Sequence, residues 1–429
     1  MEDEEEKIST LGVTADPAAV YDVVQHARQL LTARSNPPVE AAIRVGLVDK
    51  TIECLRESDS SKTQHEAAWI LSIIASSDSR GPKVIVNADG IPVLVNNLST
   101  EYPNVCEKVA LALAFIAGDC IDYRNKIIDC GVMTKFDAAA DVNKPAYQLE
   151  SVAKLINKVL SYPSSQLPLE IAKKLTVYIV ELLDKEILTV QSSLAGAAYY
   201  LTRNDNPSYL QVAVTLGLLE KVVKLLSRND LNVQKAAIRV CQNVSSSDYS
   251  RFTQALIDCN AQDHFELLLK TKDVYIILDT IKVISNIATG SINIKQVLLD
   301  VKILPTVFEQ IRNPDMHIVK EICWVIDNFI TGAAEDQLQQ LCEIGIVDLL
   351  YSSLLIKNHM IIRHSLAALL NLIEGTLDDD MKLSICTDFD DIGGLIRLEI
   401  FLRSESDEIR IMATTILHVI QDIYGQNQQ

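Results

Sequence analysis

Eight positions, Ile73, Phe115, Lys158, Tyr200, Asn243, Asn286, Asn328 and Asn371, occupy the same place in a recurring phrase of alanine, an aliphatic residue, a small or amide residue and another aliphatic. Their successive separations are 42, 43, 42, 43, 43, 42 and 43 residues. The phrase reads AAWILSIIAS at 67–76, VALALAFIAG at 109–118, LAGAAYYLTR at 194–203 and AIRVCQNVSS at 237–246. It returns as TIKVISNIATG at 280–290, ICWVIDNFITG at 322–332 and SLAALLNLIEG at 365–375. A chain built this way repeats one supersecondary unit. Such a unit cannot bury its apolar face alone, so it must stack on its neighbours.

A second mark keeps the same time. A glycine precedes an aliphatic run at Gly46, Gly90, Gly131, Gly217 and Gly345, at steps close to one, one, two and three periods. Glycine there lets one helix end and the next leave at a sharp angle. Each unit is therefore expected to contain a short helix, a glycine turn, a second helix, a polar turn and a longer third helix carrying the phrase. Few glycines (15) and prolines (12) argue against an all-β fold, whose many turns require them. A period near 40–47 belongs to armadillo and HEAT arrays. The expected fold class is all-α: a right-handed armadillo-repeat superhelical solenoid of about ten units of ~42 residues. It would run from about 16 to 425 without an internal linker, after an acidic, disordered tail at 1–15.

Helical geometry divides the third helix into faces. With the eight positions numbered zero, register +1 holds Ile74, Ile116, Val159, Leu201, Val244, Ile287, Phe329 and Leu372. Register −2 is aliphatic, alanine or cysteine throughout, and register −5 is small or aliphatic, as in Ala68, Ala110, Ala153 and Ala195. Steps of three along a helix make one apolar stripe, the core face. Register −4 instead reads Trp69, Leu111, Lys154, Gly196, Arg239, Lys282, Trp324 and Ala367. Registers 0 and −4 lie together, nearly opposite the stripe, and their cations cannot sit unpaired in a dry core. That row is the expected binding surface.

Other signals are bland. Nine cysteines are scattered singly, without a CxxC pair, as expected of reduced core residues. The seven histidines form no HExxH and no ligand cluster, and no GxGxxG, GxxxxGK[ST] or GxSxG phrase occurs, so neither metal, cofactor nor enzyme is expected. No apolar run is long enough to span a membrane. A net charge of −18 repels nucleic acid and anionic membrane and favours basic partners. The acidic run at 378–380 is expected to be a solvated loop.

In these residues the chain resembles the importin-α family, armadillo adaptors that carry nuclear localisation signals. The opening ARQLLTARSNPPVEAAIRVGLVDK (27–50) is similar to that family's first full unit. HEAAWILSIIAS, ALAFIAGDCIDYRNKII and KEICWVIDNFITG resemble its second, third and eighth, and residues 392–425 its last. The resemblance implies a Trp-x-x-x-Asn array. Asparagine amides would hold the backbone of an extended peptide, tryptophans would form slots for lysine and arginine stems, and nearby carboxylates would pair the charges. It also implies a major site on units two to four and a minor site on units six to eight.

Carried over, the major site is degraded. Trp69 remains but Ile73 replaces its asparagine, Leu111 and Phe115 replace the next pair, and Lys154 and Lys158 the third. Asp119 matches the aspartate that would meet the signal's central lysine. The minor site is better kept: Trp324, Asn328 and Glu321 in unit eight, Asn286 and Asp279 in unit seven beside Lys282, Arg239 and Asn243 in unit six. The resemblance implies basic cargo peptides held mainly in the C-terminal half, traffic between cytoplasm and nucleus, and recognition by the export receptor that recycles importin-α. With only about fifteen acidic residues before the first repeat, direct importin-β binding is not expected. The rival expectation is a scaffold without transport, holding a less basic peptide across Leu111, Phe115, Lys154 and Lys158.

Overall fold

The computed structural model describes residues 17–33, 38–78, 80–162, 167–203 and 207–426; the acidic tail lies outside them. Among the described residues every regular element is a helix. The long third helices are α1 (Pro17–Thr32), α2 (Ser61–Ala75), α3 (Pro103–Asp119), α4 (Ala146–Leu160) and α5 (Leu188–Thr202). They continue as α6 (Leu231–Ser245), α7 (Val274–Ala288), α8 (Met316–Ile330), α9 (His359–Gly375) and α10 (Asp407–Gln426). The chain divides into two compact units, Met1–Val222 and Val223–Gln429. Within the first, α1 to α5 pack each on the next; within the second, α6 to α10 do the same. This is the stacking of an armadillo solenoid.

The stripe behaves as helical periodicity requires. All twenty-four residues at registers +1, −2 and −5 of α2 to α9 are at most 3% exposed, and none of the sixteen at registers 0 and −4 is buried. Polar caps start many of these helices by satisfying backbone N–H groups that have no partner in the first turn. Asp230, Asp273 and Asn358 each accept two such N–H groups, and Asp315 accepts one from His317 at 2.8 Å. Asp378 does the same for the helix Asp379–Asp391, accepting from Met381 N at 2.8 Å. The acidic run is therefore a helix start and not a loop, placed where the helix dipole favours negative charge.

Side chains also stitch neighbouring units together one period apart. Asn97 donates to Leu55 O, Tyr209 to Leu167 O and Arg397 to Leu354 O. In one repeat the two short helices are fused into a single 15-residue helix, Leu169–Leu183. No glycine breaks that stretch, which is why the glycine marks skip a period there.

The turn between the short helices depends on one left-handed residue. Gly345 (φ 97°) supplies it as the expected pattern requires, and Gly46, Gly131 and Gly217 share the conformation. Gly90 does not. In that repeat Asp89 takes the positive φ (53°), as Asn260 and Lys302 do in theirs. Gly90 is needed for space: a Cβ there would stand 2.7 Å from Ile85 Cγ2 and 3.0 Å from Ile52 Cδ1. Opposite outcomes are expected at the two neighbours. Gly90→Ala should cost about 1–3 kcal/mol by overpacking, and Asp89→Gly should be neutral or stabilise slightly, since glycine enters the left-handed region freely. Urea unfolding of both variants measures the difference.

Candidate peptide-binding site

In the C-terminal unit the unburied row runs along α6, α7 and α8. On α8, Glu321, Trp324 and Asn328 occupy positions three and four apart and so share one face. Trp324 is 41% exposed. Its ring lies 4.3 Å from that of His364 on α9, a residue buried to 6% exposure. His364 Nδ1 stands 3.2 Å from Asp327 Oδ2, and Arg363 Nη2 is 3.4 Å from its other nitrogen. The indole is thus braced from behind while its remaining surface is open. Sequence reasoning left His364 out, although it falls seven residues before Asn371, the same register as Glu321 and Asp279.

Glu321 is only partly exposed and has no hydrogen bond or ion pair among the described residues. Burial pushes its carboxyl pKa above the usual range, against the opposing pull of the Lys282 ammonium. A desolvated carboxylate without a partner is costly to keep.

The asparagines are oriented by the preceding third helix. Asn328 Nδ2 donates to Ser285 O and Oγ, at 3.2 and 3.0 Å. Asn286 Nδ2 donates to Ser245 Oγ at 3.0 Å. An amide has two N–H groups and an oxygen with two lone pairs, so anchoring Nδ2 aims the group and leaves its oxygen to accept. Asn243 lies at the matching place on α6, partly exposed.

Asp279, expected to meet a peptide cation, is already engaged. Its Oδ2 is 3.2 Å from Arg239 Nε and its Oδ1 is 4.0 Å from Lys282 Nζ, and it is 7% exposed. Arg239, Asp279, Lys282 and Glu321 therefore make a strip of alternating charge across α6, α7 and α8, in which Glu321 is the carboxylate left unmatched.

The N-terminal unit holds the other two expected residues. Trp69 on α2 is half-buried and its ring already carries cations of this chain. The Arg28 guanidinium carbon of α1 is 4.6 Å from the ring centroid and Lys108 Nζ of α3 is 4.4 Å from it. Both cations are tied in place, Arg28 to Glu66 at 2.7 Å and Lys108 to Glu107 at 2.8 Å. Glu66 and Lys108 occupy the register seven before zero, a spacing that could have exposed the arrangement. Asp119 ends α3, exposed; it does not cap the following helix, whose N-cap is Cys120 without a side-chain bond.

Nothing in either unit assembles a metal site among the described residues, and all nine cysteines are free. No described helix is long and apolar enough to cross a membrane.

The Armadillo/beta-catenin-like repeat family matches residues 35–76. Importin subunit alpha-1b of Oryza sativa subsp. japonica is 34% identical over 116 residues, 27% of this chain and 22% of that protein. Importin subunit alpha-3 of Arabidopsis thaliana is 26% identical over 200 residues, 45% of this chain and 36% of that one. Importin subunit alpha of Saccharomyces cerevisiae is 38% identical over 81 residues, 19% and 15% of the two chains. The matched stretches thus span well under two thirds of these relatives. Among solved structures, an engineered protein superposes with TM-score 0.78 at 24% identity, covering 97% of this chain and 99% of its own. A designed armadillo repeat protein gives 0.50 at 21%, covering 57% and 99%. These two likenesses concern the fold.

Proposed function

The chain is an importin-α-like armadillo-repeat protein, and from that premise we propose that it is a nuclear transport adaptor that binds lysine- and arginine-rich cargo peptides through α7 and α8 of its C-terminal unit. The observation that carries this reading is Glu321: a half-buried carboxylate, unpaired, three residues from an open indole and seven from an amide that is held but not exhausted. A peptide ammonium or guanidinium on Trp324, with its charge toward Glu321, satisfies both groups, and Asn328 and Asn286 can bond the peptide backbone. The adaptor would work between cytoplasm and nucleus and be returned by the receptor that exports importin-α; co-precipitation with that receptor tests the transport half of the reading.

The binding half is tested by pH. Because burial raises the pKa of Glu321, its charge is lost as pH falls through a value above the ordinary carboxylate range. Affinity for a basic peptide should therefore decline from neutrality into mild acid earlier than an exposed carboxylate would cause. Glu321→Gln should bind several-fold more weakly at pH 7 and show little of this decline. The stability effect has the opposite sign. A carboxyl whose folded pKa is raised binds protons better in the folded state, so stability falls as pH rises through the window, and the cost is complete at neutral pH. Glu321→Gln removes it and should melt no lower than the wild type. Loss of stability together with unchanged peptide affinity would assign Glu321 a structural role and sink the proposal.

A further inference from the structure

We propose that the N-terminal unit carries a second peptide site of opposite preference, on the unburied row of α3 and α4, which takes an acidic, extended segment anchored by an aromatic side chain. Lys154 and Lys158 stand one turn apart on the same face of α4, both exposed. Among the described residues neither ammonium group has an ion-pair or hydrogen-bond partner. Two like charges at this spacing repel each other and are stabilised by an anion brought between them. Two carboxylates are near but do not pair with them: Glu150 is one turn before Lys154, and Asp119 follows Gly118, against which Lys158 lies.

The surroundings are shaped for a peptide. Lys158 lies across Gly118 of α3, where an added Cβ would stand 3.1 Å from its Cδ. The missing side chain at Gly118 lets the lysine stem lie against α3. One turn back along α3 from Gly118, on the same unburied row, the apolar ring of Phe115 is 42% exposed. A basic segment would find no vacant slot here. The tryptophan of this unit, Trp69, already holds Arg28 and Lys108.

Alternate residues of an extended strand are about 6.6–7 Å apart on one side, close to the separation of side chains four apart on a helix. A segment of the pattern Glu-x-Glu with a nearby phenylalanine therefore matches Lys154, Lys158 and Phe115 in turn. This inference is independent of the basic-peptide reading of α8.

The test is fluorescence anisotropy on the full chain with a labelled peptide of alternating glutamate and phenylalanine. A control probe has every glutamate replaced by glutamine. The acidic probe should bind at least tenfold more tightly than the control, and more weakly as salt rises. Lys154→Glu combined with Lys158→Glu should abolish that preference, and Phe115→Ala should weaken binding several-fold. Asp119→Asn, which removes a carboxylate beside Gly118, should tighten it. Trp324→Ala should leave it unchanged. Both lysines are exposed, so circular dichroism should report the same melting curve for the double variant. Equal binding of the two probes, or an acidic probe indifferent to the lysine reversals, overturns the proposal. Binding of a basic probe at α8 survives either result, and its own failure leaves this site standing.

Discussion

Replacing Trp324 with alanine should lower affinity for a lysine- and arginine-rich peptide about tenfold, and Glu321→Lys should lower it roughly a hundredfold. On the proposed reading the indole would contribute cation–π attraction and cover the aliphatic stem, together about 1–2 kcal/mol at a partly exposed position. Charge reversal at Glu321 both removes an attraction and adds a repulsion. At about 6 Å in a partly wet groove each is on the order of 1–3 kcal/mol, which makes roughly two decades a restrained figure. Both losses should shrink at high salt, the second more than the first. Trp69→Ala is expected to change the same affinity less than twofold, because Arg28 and Lys108 already occupy its ring. Titration calorimetry with the three variants decides. A larger loss at Trp69 than at Trp324 would move the basic-peptide site to the N-terminal unit, and no loss at either would remove basic peptides from the account.

Lys295→Met should lower stability by about 3 kcal/mol, a fall of roughly 6–12 °C in melting temperature for a unit of this size. Lys295, on the helix Ile292–Asp300, is 1% exposed. Its ammonium donates to the carbonyls of Asn328 and Phe329, each at 2.8 Å, and to that of Thr331. These belong to the C-terminal turn of α8, whose last carbonyls have no helical partner and sit at the negative end of the helix dipole. Burial lowers the lysine pKa to about 8, so the group remains charged at neutral pH. Methionine keeps the stem's volume and leaves the carbonyls unmet. The frayed turn includes Asn328, so basic-peptide affinity should fall with it. Differential scanning calorimetry and hydrogen exchange at residues 328–331 would detect both effects. A variant as stable as the wild type would mean that water replaces the ammonium at no cost.

The repeat register, the buried stripe and the identity of the unburied row were all legible before any coordinates. The twenty-four stripe positions are buried without exception. That follows from the 3.6-residue turn, which is local: a residue's face on its own helix depends only on its spacing from its neighbours. The turns were legible in part. Gly46, Gly131, Gly217 and Gly345 adopt the left-handed conformation, but Asp89, Asn260 and Lys302 adopt it without glycine. Aspartate and asparagine enter that region more readily than other side chains do, so glycine alone does not mark the turn, and packing turns Gly90 into a residue required for space.

Whether a charged or aromatic side chain is free was not legible. Trp69 and Trp324 occupy the same register, although only Trp324 keeps an asparagine four residues on. In the structure Trp69 is claimed by two cations, while Trp324 rests on His364 with its outer surface open. Asp279 and Glu321 share a register, yet Asp279 is closed by Arg239 and Lys282 and Glu321 is unmatched. Apart from Lys282, three residues from Asp279 on the same helix, each decisive partner lies about one period away in sequence, on the adjacent third helix. Whether it arrives within 3 or 6 Å depends on how far one helix is shifted and rotated against the next, a quantity set by the packing of many core side chains at once. Sequence periodicity by itself determined which faces are core and which are open; stacking alone decided which open residues are still available to a partner.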